Sequence, residues 1–544
     1  MKAASPAVLV TVLVAIAIAV GLLTGPSKLW QEREILRQVY TPRFDPIPQM
    51  LPVTDLIAGL REHLRSERGQ AFLRGWLPNQ GGALWLALLV MLAIGFNFKR
   101  LNDPRNVALV AMQALGFLFF DILRFLDVLN EPYAVTLMDW VFCGIVFVNL
   151  LLMGLAVWRV RRPLSSAWRP SLPARALASI AILMVSLDLF AAAVRPPDDA
   201  GFFVNLGGQR LRERGLLPYG DPLLTGTPAA GYGPLLYAAH VPFQFVFDPT
   251  PANEVSSPHP PLGADSTYVL PPSAATKLCT IAFHLLGLVA LFRIGRAYGG
   301  PEIGWALVAL YAGSAYVLGV GGETYFIGGM TFVSHIAPAA VTLAAFAAID
   351  RPAIAAVLLT AAAGVGFYPA FLAPAWLGFY WDRPAARRKF FVALAVSGAI
   401  LAAIVLLLSR PAGGRGLIGT ILWDTFGHHT DPAGYGFSPF SFWGQRGGIR
   451  GWLMAPLVGT SGLTTPAFLA FVAFACGSFA LTRRRPARAL ALTSAAVIIG
   501  ANLLKIHPTG TYVAWFYPFL LIGFLIDAPA APAKTGRARM NGSP

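Results

Sequence analysis

Runs of apolar residues long enough to cross a bilayer recur along this chain, and they constrain its fold more than any motif does. A hydrocarbon core of about 30 Å needs roughly 20 apolar residues in helical form. Runs that approach or reach that length occupy about 8–23, 82–98, 105–128, 135–158, 176–194, 273–294, 303–320, 325–349, 352–366, 367–381, 390–409, 463–481, 487–504 and 512–527. With 56% hydrophobic and only 12% charged residues in 544, such a chain cannot expose its surface to water. The expected fold is an all-α polytopic membrane protein, a helical transmembrane bundle of about 14 spans with both termini cytoplasmic. The run at Val8–Leu23 lacks a good small-residue cleavage site and reads as an uncleaved anchor.

Charge orients the bundle. The formal net charge of +16 gathers in short links between the apolar runs: Lys99-Arg100 with Arg105, then Arg159, Arg161 and Arg162. Arg293 and Arg296, Arg351, the cluster Arg383, Arg387, Arg388 and Lys389, and Arg483–Arg485 continue the series. Basic links face the cytoplasm, so residues 195–272, 410–455 and 505–511 are expected outside it. Because the positive charge is explained this way, the basic balance does not point to nucleic acid. Cys143, Cys279 and Cys476 sit in apolar runs without ligand spacing and read as small core residues, neither a disulfide framework nor a zinc site. Three regions are expected: 1–170, an accessory membrane region of four spans with an amphipathic outer segment (Leu60–Leu77) within 26–80; 171–530, the catalytic membrane domain; and 531–544, a cytoplasmic disordered tail.

One stretch, LDLFAAAVRPPDDAGFFVNLGGQRLRERGLLPY at 187–219, organises the rest. A span ends at Val194, turns at Pro196-Pro197 and delivers Asp198 and Asp199 to the outer surface. Phe202, Phe203 and Leu206 then share one helical face, with Leu211 further along, while Gln209, Arg210, Arg212, Glu213 and Arg214 are polar. That pattern predicts an interfacial amphipathic helix, in contact with membrane lipids. The other polar residues of the outer loops are Tyr219, Glu323, Tyr325, the run 424–446 with Ser438 and Trp443, and Lys505 with His507. No Gly-rich phosphate loop follows a strand, so cytoplasmic nucleotide chemistry is not indicated. An enzyme working outside the cytoplasm must receive an activated group already attached to lipid. A polyprenyl-phosphate donor meets that need.

The ordered set DDAGFFVNLGGQRLRERGLLPYG, YGPLLYAAHVP, RPAIAAVLLTAAAGVGFYPAFLAPAW (351–376), GYGFSPFSFWG (434–444) and HPTGTYVAWFYP (507–518) resembles the GT-C glycosyltransferase superfamily. The likeness is to its polyprenol-phosphate-mannose-dependent mannosyltransferase-like branch and covers about residues 175–530. Residues 1–170 have no place in the minimal pattern, and Phe367 stands where a basic residue often precedes the tyrosine-proline. The resemblance implies inverting transfer of a sugar, mannose or another hexose or pentose, to a lipid-linked or cell-envelope glycan or glycolipid acceptor. The implied location is the extracytoplasmic face of a bacterial inner membrane. Asp199, four residues before Phe203, is implied as general base. Asp198 is in reserve, to orient the acceptor or a divalent metal ion; no other cofactor is implied. Arg212, Arg214, Lys505 and His507 are the donor-phosphate candidates, and Tyr219, Glu323, Tyr325, Ser438 and Trp443 the substrate-binding ones.

Plainer roles stand beside these. Two aspartates after Pro-Pro can cap a helix; the arginines can bind anionic headgroups; His507 can be a polar helix end. His428 and His429 read as solvated loop residues rather than metal ligands. Asp121 and Arg124, three apart, neutralise each other, while Asp188 reads as a buried structural carboxylate. The alternative functions are a lipid-linked oligosaccharide flippase, and a polymerase or ligase using the same kind of donor.

Overall fold

The computed structural model describes residues 81–118, 132–162, 168–194, 199–221, 224, 230–247, 274–318, 332–427, 464–504 and 512–526, with short pieces between 58 and 66. Among the described residues there is no strand. Five helical stretches are long and apolar enough to cross a membrane: Cys143–Arg161, Ala174–Ala193, Ala274–Gly299, Pro384–Leu408 and Ala487–Leu504. The expected anchor at Val8–Leu23, most of the amphipathic segment, the Asp121/Arg124 pair, His428 and His429 and the C-terminal tail lie outside the described residues.

The chain enters through α1 (Gly81–Val90), α2 (Pro104–Phe117) and α3 (Pro132–Arg161). Asp103 caps α2 by accepting from the Arg105 amide at 2.9 Å, and Pro104 supplies the fixed φ of a first helical turn. These helices do not stand apart. Side chains of α1 to α3 share one apolar core with those of the C-terminal helices, and the Ala315 amide donates to Gln113 Oε1 at 2.9 Å.

Helices α4 (Ala174–Val194), α5 (Asp199–Arg214) and α6 (Pro234–Phe247) follow. Then come α7 (Ala274–Gly299), α8 (Pro301–Ala312), α9 (Ala315–Leu318) and α10 (Val333–Ala347). After them α11 (Pro352–Gly366) ends at Phe367, which adopts φ +51°, and a 3-10 turn leads into α12 (Ala373–Tyr380). At 1.5 Å per residue neither α11 nor α12 reaches the roughly 30 Å of a hydrocarbon core. Residues 352–366 and 367–381, expected as two spans, are therefore two short helices joined at a strained residue. A Cβ on Gly366 would stand 2.7 Å from the Pro338 ring, so the break also lets α10 and α11 approach closely.

The chain closes with α13 (Pro384–Leu408), α14 (Gly416–Leu422), α15 (Thr464–Thr482), α16 (Ala487–Leu504) and α17 (Val513–Leu525). Two of these, both apolar, have opposite surroundings. Every residue of α17 is buried, whereas Phe390 is the sole buried residue of α13. Helix α13 is about 37 Å long by its 25 residues, and its two ends mark the two ends of the bundle. Near Pro384, Asp382 meets Arg483 at 3.0 Å; beyond Leu408, the Arg410 amide donates to the Tyr219 carbonyl at 3.1 Å. Of the cysteines, Cys279 is buried, Cys143 partly so, and Cys476 is exposed on α15, which corrects the reading of all three as core.

Candidate functional site

The end of α4 and the start of α5 are both held by the first turn of α7. Lys277 Nζ donates to the Ala193 carbonyl at 2.7 Å, in the last turn of α4, and Thr276 Oγ1 donates to the Gly201 carbonyl at 3.2 Å, in the first turn of α5. Asp199 is the first residue of α5; its side chain, and Asp198 as a whole, lie outside the described residues.

Helix α5 differs from the sequence expectation. Residues 200–210 are buried on every side, Gln209 and Arg210 included, so the helix is embedded in protein rather than lying half-free in an interface. Two glycines explain part of this: a Cβ on Gly207 would stand 2.5 Å from the Tyr237 ring, and one on Gly208 would stand 3.0 Å from the Tyr237 carbonyl, so α6 packs close. The polar face then finds partners inside. Gln244 Nε2 donates to the carbonyl and Oδ1 of Asn205, both at 2.7 Å, and Arg210 Nε lies 3.6 Å from Asp221 Oδ2. An amphipathic pattern reports polarity on one face but not whether water or another helix satisfies it.

The three arginines have separate surroundings. Arg212 donates to the Gln244 carbonyl at 3.0 Å, one of the unsatisfied carbonyls at the end of α6, and lies over the Phe245 ring at 5.8 Å. Arg210 is buried. Arg214 is the open one, its side chain 38% exposed, with Nη1 3.7 Å from Asp221 Oδ2.

Beyond α5 the chain folds into a loop bonded to the segment after α13. The Leu217 amide donates to the Leu408 carbonyl at 2.7 Å, and the Gly220 amide donates to Asp424 Oδ2 at 2.8 Å. Gly220 has φ +78°, and a Cβ there would be 1.9 Å from the Arg410 carbonyl oxygen. Only glycine fits both the backbone conformation and the approach. Tyr219, expected to face substrate, is inside the protein: its hydroxyl donates to the Tyr232 carbonyl at 2.5 Å and its ring meets Tyr237 edge-on at 6.2 Å. Burial first, and then the nearby Asp424 charge, push its phenol well above the usual range. Asp221 and Asp424, which the sequence reading did not single out as site residues, are the carboxylates that tie this loop together. No periodic signal marks them, because Asp424 is 204 residues from its partner Gly220.

Glu323, Tyr325, Lys505, His507, Ser438 and Trp443 lie outside the described residues. Their flanking positions are nonetheless informative. Next to the segments 319–331 and 505–511, His335 sits among rings: Phe332 stacks on it at 4.4 Å, Tyr512 approaches at 4.1 Å, and the Tyr316 hydroxyl hydrogen-bonds His335 Nδ1. Trp515 joins the same group and carries Tyr368 stacked at 4.2 Å. Deeper in the bundle, Asp188 is not isolated: its Oδ2 lies 3.2 Å from His284 Nε2, with both side chains fully buried. Among the described residues no group of three His, Cys, Asp or Glu side chains could hold a metal ion. In comparison with known proteins, no family model, no curated protein and no solved structure matches this chain.

Proposed function

We propose that the protein is a polytopic membrane glycosyltransferase that transfers a sugar from a polyprenyl-phosphate donor to a glycan or glycolipid acceptor outside the cytoplasm. One observation carries the reading: the segment with the acid–arginine pattern is built into the protein, and its loop is bonded to the start of the second loop at 408–424. The loop after α5 and the segment after α13 therefore meet at one end of α13. In this mechanism the Asp199 carboxylate takes the proton of an acceptor hydroxyl as that oxygen attacks the anomeric carbon. The bond from that carbon to the phosphate oxygen breaks, polyprenyl phosphate leaves with the electron pair, and the configuration inverts. Cations must meet the charge that develops on the phosphate. Lys505 and His507 take that role; Arg214 ends α5, about 22 Å along the helix axis from Asp199, too far to share the same phosphate, and Arg212 secures α6.

The test is purified protein in lipid nanodiscs offered a panel of radiolabelled polyprenyl-phosphate sugars with a membrane glycolipid extract. Label moving to the glycolipid with inverted linkage is the expected result. No transfer from any donor by protein that is folded and monodisperse sinks the reading. A lipid-linked sugar flippase is the competing reading, favoured by the fully buried Asp188–His284 pair. A deletion strain separates the two: loss of a transferase leaves an acceptor short of one sugar, whereas loss of a flippase traps donor on the inner leaflet. Sidedness is tested with Ser257→Cys, expected to react with an impermeant thiol reagent in intact cells.

A further inference from the structure

Lys277 has an unusual position for an ammonium. It lies in the first turn of α7, an apolar helix long enough to cross a membrane, and the residue is 5% exposed. An apolar side chain of the same length would fill that place without desolvating a charge, so the cost of the cation is set against what it holds. What it holds is the Ala193 carbonyl, at 2.7 Å. That oxygen belongs to the last turn of α4, where carbonyls have no partner within the helix and a cation is favoured by the helix dipole. The next residue back, Thr276, reaches across the same turn to Gly201 at 3.2 Å. Adjacent residues of one helix thus grip both sides of the segment 194–200. Helix α7 packs in turn into the core with α8 and α10, through Leu288, Leu291, Ile336 and Leu343, so the grip refers the turn to the body of the bundle.

Resting on the reading of Asp199 as general base, we propose that Lys277 is a positioning residue for sugar transfer: with Thr276 it fixes the end of α4 and the first turn of α5, the helix that Asp199 opens. Proton abstraction depends on the carboxylate being within hydrogen-bond reach of the acceptor hydroxyl, and a displacement of about 1 Å costs on the order of 100-fold in rate. A residue that served only to stabilise the fold would change the amount of folded protein and leave the turnover of each folded molecule intact.

The experiment measures kcat, KM for the labelled donor and thermal stability for Lys277→Met and Lys277→Arg, each in the native background and combined with Asp199→Asn. Lys277→Met should lower kcat by roughly 10- to 100-fold with KM changed by less than about twofold. Lys277→Arg, which keeps the charge and the donor, should recover most of that loss. In the Asp199→Asn background, Lys277→Met should produce no further fall, because a positioning residue acts only through the group it positions. Thr276→Val keeps the volume and removes one hydroxyl; it should show a smaller loss of the same non-additive kind, and it decides the matter if Lys277→Met does not fold. Wild-type kcat in both Lys277→Met and Thr276→Val, or an equal fall with and without the Asp199 carboxylate, overturns the positioning role and leaves the transferase reading standing. Full activity in Asp199→Asn alone overturns both.

Discussion

At the Pro384 end of α13, Asp382 meets Arg483 and Arg484 in the open, with side chains 31%, 42% and 75% exposed. Beyond the Leu408 end, Asp221 and Asp424 are buried and organise a loop and Arg210 is buried beside Asp221, and at the other end of α5 a buried Lys277 holds the Ala193 carbonyl. The same residue types do different work because solvent differs. Exposed pairs are screened and weak. Buried charges keep their strength, are costly to leave unpaired, and hold backbone in one arrangement. Rigid geometry of that kind is what catalytic groups need, so the end with buried charges is the one where chemistry is expected.

The sharpest way to break this contrast is Asp199→Asn. It keeps the side-chain volume and an oxygen that can cap α5, so a capping role alone leaves activity near normal. As the general base its loss should cut transfer by about 100-fold or more with unchanged thermal stability. Asp198→Asn is the control; retained activity in both variants would sink the assignment of this turn.

Next in size is Gly220→Ala. A Cβ would meet the Arg410 carbonyl at 1.9 Å in a left-handed conformation, and the fold should lose about 3 kcal/mol in a thermal or denaturant titration. Gly215 has φ +65° and nothing within 4 Å of its notional Cβ. Gly215→Ala should therefore cost only about 1 kcal/mol, from conformation alone. Equal losses at the two positions mean that the loop-to-loop bond is not under compression.

The arginines sharpen the contrast within the buried end. Arg214→Ala should leave both KM for the donor and thermal stability almost unchanged, because Arg214 is exposed and about 22 Å along α5 from Asp199. Arg212→Ala should lower stability by freeing the Gln244 carbonyl while KM stays near normal. A rise in donor KM at either arginine means that the phosphate is met at this end of α5 and that Asp199 is not the base.

Smaller effects are expected at the carboxylates of the links. At Asp103, burial works against the charge, but the hydrogen bonds and charge of Arg105 outweigh it and hold the carboxyl below its ordinary value of 3.8. A folded-state pKa lowered in this way contributes stability that is present above 3.8 and is lost as pH falls through the folded value. Asp103→Ala should cost about 1 kcal/mol at pH 7, and the difference from the native chain should shrink in acid. Asp382 has the same sign, lowered chiefly by the Arg483 hydrogen bond. Because that pair is in solvent, Asp382→Ala should leave the melting temperature at pH 7 unchanged within error.

Much of the fold was legible in the sequence because hydropathy and breakers act locally. The apolar runs mark the helices, and the Gly-Phe-Tyr-Pro sequence at 366–369 marks the break after α11. The site was legible only in part. The spacing singles out Asp199 and the arginine series as candidates, but the separate surroundings of Arg210, Arg212 and Arg214 are not legible in it, since each depends on which neighbour its rotamer meets.

By itself, then, the sequence determined that this chain is helical and apolar and has its basic residues in short links, because those properties depend on residues within one or two turns of each other. Tertiary structure decided what each polar group touches. Lys277 reaches a carbonyl 84 residues away and Gly220 a carboxylate 204 residues away, distances over which no helical period carries information. It also decided that α5 is walled in by α6 and that α17 is buried all round while α13, also largely apolar, is bare. Burial is fixed by which helices pack together, a property of the whole arrangement that no single segment encodes.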